Sequence, residues 1–263
     1  MFALTLLSYA LLATSALARP SGLSDRLARR AAGSHLTRPL QRVASPEALA
    51  SNTSHVEYSS NWAGAVYDTY PSGSFKSVTG TFTVPTPKAP SGGSGTYSSS
   101  AWVGIDGDTC GTAILQTGVD FTVSNGRTSY DAWYEWYPDY AYDFSGISIS
   151  AGNQIRVTVT ASSTTSGTAV IENLSTGQTV SKSLTSSSAL CEENAEWIVE
   201  DYEENGSLVP LANFGTVTFS SASATTGSGS IGPSGATLID IEQNGKVLTS
   251  ASTSGSSVTV SYV

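Results

Sequence analysis

Downstream of about residue 56 the chain alternates apolar and polar positions with a period of two, the signature of half-buried β-strands. In 101–106, Trp102, Gly104 and Asp106 fall on one face and Val103 and Ile105 on the other. In 130–137, Asp131, Trp133, Glu135 and Tyr137 share a face opposite Ala132 and Tyr134, and in 196–202 Glu196, Ile198, Glu200 and Tyr202 do the same. Runs rich in Ser, Thr and Val at 77–84, 146–150, 154–161, 169–173, 179–184, 216–220, 237–243 and 257–263 carry the same signal. Turn residues such as Asn125-Gly126 and Asn244-Gly245 punctuate them at roughly eight- to twelve-residue intervals. The acidic stretch 192–204 reads as a strand with a short helical lead-in, and 85–97, full of Pro, Gly and Ser, reads as a loop. The predicted fold class is all-β: a sandwich of two packed antiparallel sheets, jelly-roll or concanavalin-like.

Three segments differ in composition. Residues 1–18 form an apolar run ending in Ala16-Leu17-Ala18, the pattern of a cleavable signal peptide. Residues 19–55 hold six arginines against two acids, whereas 56–263 hold six Lys or Arg against nineteen Asp or Glu. A basic leader on an acidic body predicts a prosegment at 19–55 that masks an acidic cleft of a β-sandwich domain at 56–263. No later apolar run is long enough to span a membrane, so a secreted, extracellular protein without membrane association is expected. The only cysteines, Cys110 and Cys191, are then expected to pair in the oxidising secretory route. Closing a loop of that length contributes roughly 4 kcal/mol in the chain-entropy model. Sequons at Asn52, Asn173 and Asn205 permit glycosylation.

Elimination narrows the chemistry. The two histidines, His35 and His55, both lie in the leader, which removes His-dependent nucleophilic catalysis and most zinc sites from the body, so no metal or cofactor is expected. No phosphate loop is present, and the acidic body is a poor partner for nucleic acid. Carboxylate chemistry with amide and aromatic support remains. Gln116 places an amide in the apolar run Ala113-Ile114-Leu115-Gln116-Thr117, where it must be satisfied by a network or aimed into a cleft. Among the acids of 192–204, spacing alone does not choose between Glu196 and Glu200. A glycoside hydrolase using Glu135 and a second glutamate is the alternative on such a sandwich.

Four blocks, YSSNWAGAV at 58–66, AWVGIDGDTCGTAILQTG at 101–118, YDAWYEWYPD at 130–139 and NAEWIVED at 194–201, resemble in this order the signature blocks of the glutamic peptidases (eqolisins). These are secreted acid endopeptidases found mainly in fungi. The resemblance covers 58–263, although the additional C-terminal cysteines of some relatives are missing. It implies a catalytic pair of Gln116 and Glu200, with substrate-binding residues Trp102, Asp106, Asp131, Trp133, Glu135 and Tyr137. It also implies polypeptide substrates and a basic prosegment acting as an intramolecular inhibitor. A monomer is expected.

Overall fold

The computed structural model describes residues 35–43 and 56–263; the expected signal peptide and most of the expected prosegment lie outside the described residues. The described strands, in chain order, are β1 (His35–Leu36), β2 (Val56–Ser59), β3 (Trp62–Tyr67), β4 (Phe75–Thr83), β5 (Thr96–Ile105), β6 (Ile114–Ser124) and β7 (Arg127–Tyr137). They continue as β8 (Tyr142–Asp143), β9 (Gln154–Ser163), β10 (Ser166–Asn173), β11 (Gln178–Thr185), β12 (Ala195–Glu200), β13 (Glu203–Glu204) and β14 (Ser207–Leu208). The last are β15 (Thr216–Thr226), β16 (Gly229–Ile231), β17 (Thr237–Gln243), β18 (Lys246–Val247), β19 (Thr249–Ser254) and β20 (Ser257–Tyr262).

Two sheets carry the molecule. One runs β11-β10-β9-β4-β15-β20-β19 with β16 on β15, and the other runs β18-β17-β3-β12-β5-β6-β7-β8 with β2 on β17. Their facing sides make one core that includes Phe75, Phe82, Val157, Val159, Phe219 and Val258 from the first sheet. Ala63, Val103, Ile105, Leu115, Val119, Trp136 and Trp197 come from the second. The alternation works as β geometry requires: Trp197 and Val199 point into this core, so Glu196, Ile198 and Glu200 point out of the sandwich. All pairings between named strands are antiparallel except that of β2 with β17.

Two local expectations are corrected. Residues 146–150 form no strand: Ile147 and Ile149 do pack against the core, but the Ser148 and Ser150 amides donate to the side chains of Gln178 and Asn153 instead of to a neighbouring strand. Residues 192–194 form no helix; Glu192 takes φ 58°, and the chain enters β12 directly. Of the sequon residues, Asn173 has a buried side chain that donates to the Ser148 carbonyl and to Asn153.

Cys110 and Cys191 form a disulfide with Cα atoms 6.1 Å apart. It joins the loop after β5 to the lead-in of β12, two central neighbours of the second sheet.

Candidate active site

The outward face of the second sheet is built in cross-strand rows. One row reads Val66, Glu196, Gly104, Gln116, Glu135 across β3, β12, β5, β6 and β7. The next reads Gly64, Ile198, Trp102, Gly118, Trp133, and the third Trp62, Glu200, Ser100, Asp120, Asp131. Register therefore gathers the expected residues Gln116, Glu200, Trp102, Asp131, Trp133 and Glu135 on one side of the sheet. Tyr137, two residues beyond Glu135 on the same strand, packs half-buried against the tryptophan cluster. Gly118 is required between the two central indoles. A Cβ there would lie 2.4 Å from both the Ala101 carbonyl oxygen and Trp102 Cβ.

Gln116 and Glu200 stand on opposite sides of β5, and Trp102 lies in the row between them. The Trp102 indole Nε1 donates to Glu200 Oε2 at 2.9 Å, and its ring meets Trp62 edge-on with centroids 5.0 Å apart. Trp133 Nε1 donates to Ser100 Oγ at 3.0 Å. These bonds hold both indoles against the sheet and leave their faces to wall the cleft. Glu200 is fully buried, and burial, with the Glu135 charge adding to it, pushes its carboxyl well above the usual range against the pull of its hydrogen bonds. Gln116 is fully buried too, yet neither its Oε1 nor its Nε2 has a hydrogen-bond partner among the described residues.

Asp106 departs from the alternation that placed it with Trp102. The strand ends at Ile105, and Asp106 takes φ 72°, a left-handed conformation that turns its side chain out of register. Its carboxylate accepts the backbone amides of Glu192 at 2.8 Å, Glu193 at 2.9 Å and Asn194 at 3.2 Å. Asp106 thus clamps the lead-in of β12 beside the disulfide, and both its oxygens are occupied by backbone.

Residues 35–43 cross the cleft. The Thr37 amide donates to Glu135 Oε2 and the Arg38 amide to Glu200 Oε1, each at 3.2 Å. The Arg38 carbonyl accepts Trp62 Nε1 at 2.9 Å and Asn61 Nδ2 at 3.3 Å. β1 pairs with β13, Leu40 joins the tryptophan cluster, and the Leu40 amide donates to the Gly107 carbonyl. Arg38 forms an ion pair with Glu203 at 2.7 Å, and Arg42 pairs with Asp108 and Glu57, each at 2.9 Å. His35, set aside as a leader residue, lies buried with Nδ1 3.7 Å from Asp120 and its ring against Tyr202.

Asn61 was missed from the sequence. Its Oδ1 accepts the Gln41 amide at 2.9 Å, and its Nδ2 reaches Glu200 Oε1 at 3.5 Å. The signal that singled out Gln116, an amide beside an apolar strand, was present in Asn61-Trp62-Ala63 as well.

A two-sheet β-sandwich whose outer face sets a buried glutamate and a free glutamine amide among tryptophans defines a hydrolase cleft of carboxylate and amide chemistry. Comparison with known proteins makes this specific: the model of the peptidase A4 family matches residues 60–262, and the chain belongs to that family, the glutamic peptidases. It is 53% identical over 281 aligned positions to aspergillopepsin-2 of Aspergillus niger, covering 98% of this chain and 99% of that protein. It is 47% identical to scytalidopepsin B of Scytalidium lignicola, covering 81% of each. The solved structure of scytalido-glutamic peptidase with a transition state analog inhibitor superposes with a TM-score of 0.71 at 46% identity, over 78% of this chain and 98% of that one. The chain is a peptidase, and the glycoside-hydrolase alternative is not favoured.

Proposed function

We propose that this peptidase is a secreted acid endopeptidase in which Glu200 is the general base and then the general acid, and Gln116 stabilises the oxyanion. One observation carries the proposal: an extended stretch of polypeptide already crosses the cleft with backbone amides on Glu135 and Glu200. A peptide substrate offers the same groups. Hydrolysis needs a base for the attacking water, a donor for the oxyanion and an acid for the leaving nitrogen. Glu200 takes the water proton and returns it to that nitrogen, so the proton balance closes on one carboxyl. The Gln116 carbonyl holds the water, and its NH₂ donates to the oxyanion. An amide without a protein partner is the one free to do this.

The neighbours set the protonation of Glu200. Burial and the Glu135 charge both disfavour the Glu200 carboxylate, so its protonated form, the acid that serves the leaving nitrogen, persists well above the usual carboxyl range. Gln116→Ala is expected to lower kcat/KM on a denatured protein substrate by roughly 10²- to 10³-fold at acid pH, the effect of one oxyanion donor. Unchanged proteolysis in a folded Gln116→Ala protein would rule the pair out.

Residues 35–43 act in this proposal as the inhibitory part of the basic prosegment. They donate to two carboxylates of the cleft, Glu135 and Glu200, while the Arg38 carbonyl is held by Trp62 and Asn61 and not by the Gln116 amide. Acid weakens the grip, since protonating Asp108, whose carboxyl burial raises to about 6, removes one of the two carboxylate partners of Arg42. A synthetic peptide of residues 35–43 should inhibit the mature enzyme at least about tenfold better near pH 6 than near pH 3. Equal inhibition at both would count against the electrostatic release. The leader also supports an extracellular location, and no helix among the described residues is long and apolar enough to cross a membrane.

A further inference from the structure

Two buried side chains in one cross-strand row have polar atoms with no protein partner, and Gly104 separates them. Glu196 and Gln116 both pair with Gly104, from β12 and β6 respectively, and both are fully buried. Neither the Glu196 carboxyl oxygens nor the Gln116 amide atoms are hydrogen-bonded among the described residues. Buried polar groups ordinarily find partners, and each exception calls for a reason. The glycine supplies the space: a Cβ on Gly104 would lie 2.5 Å from Glu196 Oε1, 2.8 Å from the Trp102 ring and 3.4 Å from Gln116 Cβ. The Glu196 carboxyl thus leans over β5 into the volume a side chain would fill, on the side where Gln116 begins.

We propose that Glu196 is a positioning residue: in the working enzyme its carboxyl O–H closes the Gly104 gap and donates to the side-chain carbonyl of Gln116, a bond not formed in this structure, and so turns the amide NH₂ towards the cleft. Two features support this. Burial, together with the nearby Asp106 and Asp108 carboxylates, keeps Glu196 protonated well above the usual range, and a neutral carboxyl has the hydrogen to donate. The Gln116 carbonyl has two lone pairs, so one bond from Glu196 leaves the other for the attacking water. An amide pinned at its oxygen cannot flip, and a donor fixed before the reaction pays no reorganisation cost at the transition state. Glu200, by contrast, pairs with Ser100 rather than Gly104 and is held by the Trp102 indole and the Arg38 amide.

The proposal rests on the catalytic role of Gln116 given above, and the test separates the two. Glu196→Gln retains a donor and should keep kcat within about threefold of the parent. Glu196→Leu fills the space without a donor; it should fold, with kcat reduced roughly 10- to 30-fold and KM unchanged, because the lost bond acts only through the transition state. In a Gln116→Ala background the same Leu substitution should cost nothing further, the coupling expected of two residues acting as one. A parental kcat in folded Glu196→Leu, a loss in Glu196→Gln as large as in Leu, or full additivity with Gln116→Ala would each overturn the proposal. Glu196→Met is read by the same criteria if the leucine variant does not fold. An inactive Gln116→Ala beside an unaffected Glu196→Leu removes only the role of Glu196.

Discussion

Glu200→Gln is expected to lower kcat/KM by roughly 10⁴-fold at acid pH, the upper end of what one general acid–base group supplies. The size follows from a single carboxyl serving both proton transfers, so its loss removes the base for water and the acid for the leaving nitrogen together. The fold should survive. Glutamine keeps the shape of the side chain, and its carbonyl can still accept Trp102 Nε1, which now bonds to Oε2 at 2.9 Å. Stability near neutral pH should rise, because a neutral amide replaces a carboxyl whose charged form is disfavoured by burial and by Glu135. Peptide cleavage rates and thermal melts on one preparation check both halves. Residual activity within about tenfold of the parent would exclude Glu200 as the proton carrier.

The second large effect is a loss of stability as pH rises from about 4 to about 7, the reverse of ordinary acid denaturation. The unfolded chain releases carboxyl protons near pH 4. Burial holds Asp201 up to about 7 and Asp108 and Asp240 up to about 6, and it raises Asp106, Glu196 and Glu200 as well. Between those values the native state binds more protons than the unfolded state, so stability falls with pH, flattening only above the folded pKa values. Asp201, buried and bonded to Gln243 Nε2 at 2.6 Å, alone accounts for roughly 4 kcal/mol by neutral pH. Glu172, lowered by its ion pair with exposed Arg156, acts in the opposite direction but from the surface, where such pairs contribute little. Guanidinium denaturation of the Gln116→Ala protein, which avoids self-digestion, should show a lower midpoint at pH 7.5 than at pH 4. Asp201→Asn should recover much of the difference. A midpoint that rises over this interval would contradict the assignment.

The elements were largely legible because a period of two is a local property. Val103, Ile105 and Ala132 face the core as the alternation required, and Glu196, Ile198 and Glu200 share the opposite face. The failures have one cause each. At 146–150 two isoleucines pack on the core while their backbone bonds to side chains, so the apolar period marks packing without a ladder. At Asp106 a single left-handed residue ends the strand and breaks the parity on which the face assignment depended. The dipeptide Asp106-Gly107 carries a turn signal that the period-two reading overrode. The catalytic pair was legible only through the resemblance of long blocks, since Glu196 and Glu200 are equivalent by period and charge.

The sequence by itself determined an all-β chain, an acidic body behind a basic leader, the absence of histidine from the body and the membership of a peptidase family. These follow from composition and short-range order, which a linear chain carries in full. Only the tertiary structure decided that β12 lies beside β5, because that register joins distant residues, Ala195 with Ile105 and Glu200 with Ser100. That register puts Glu196 opposite the Gly104 gap that Gln116 shares and Glu200 beneath Trp102, separating two glutamates that looked alike. It also lays residues 35–43 across the cleft, a contact between distant segments that no local pattern encodes.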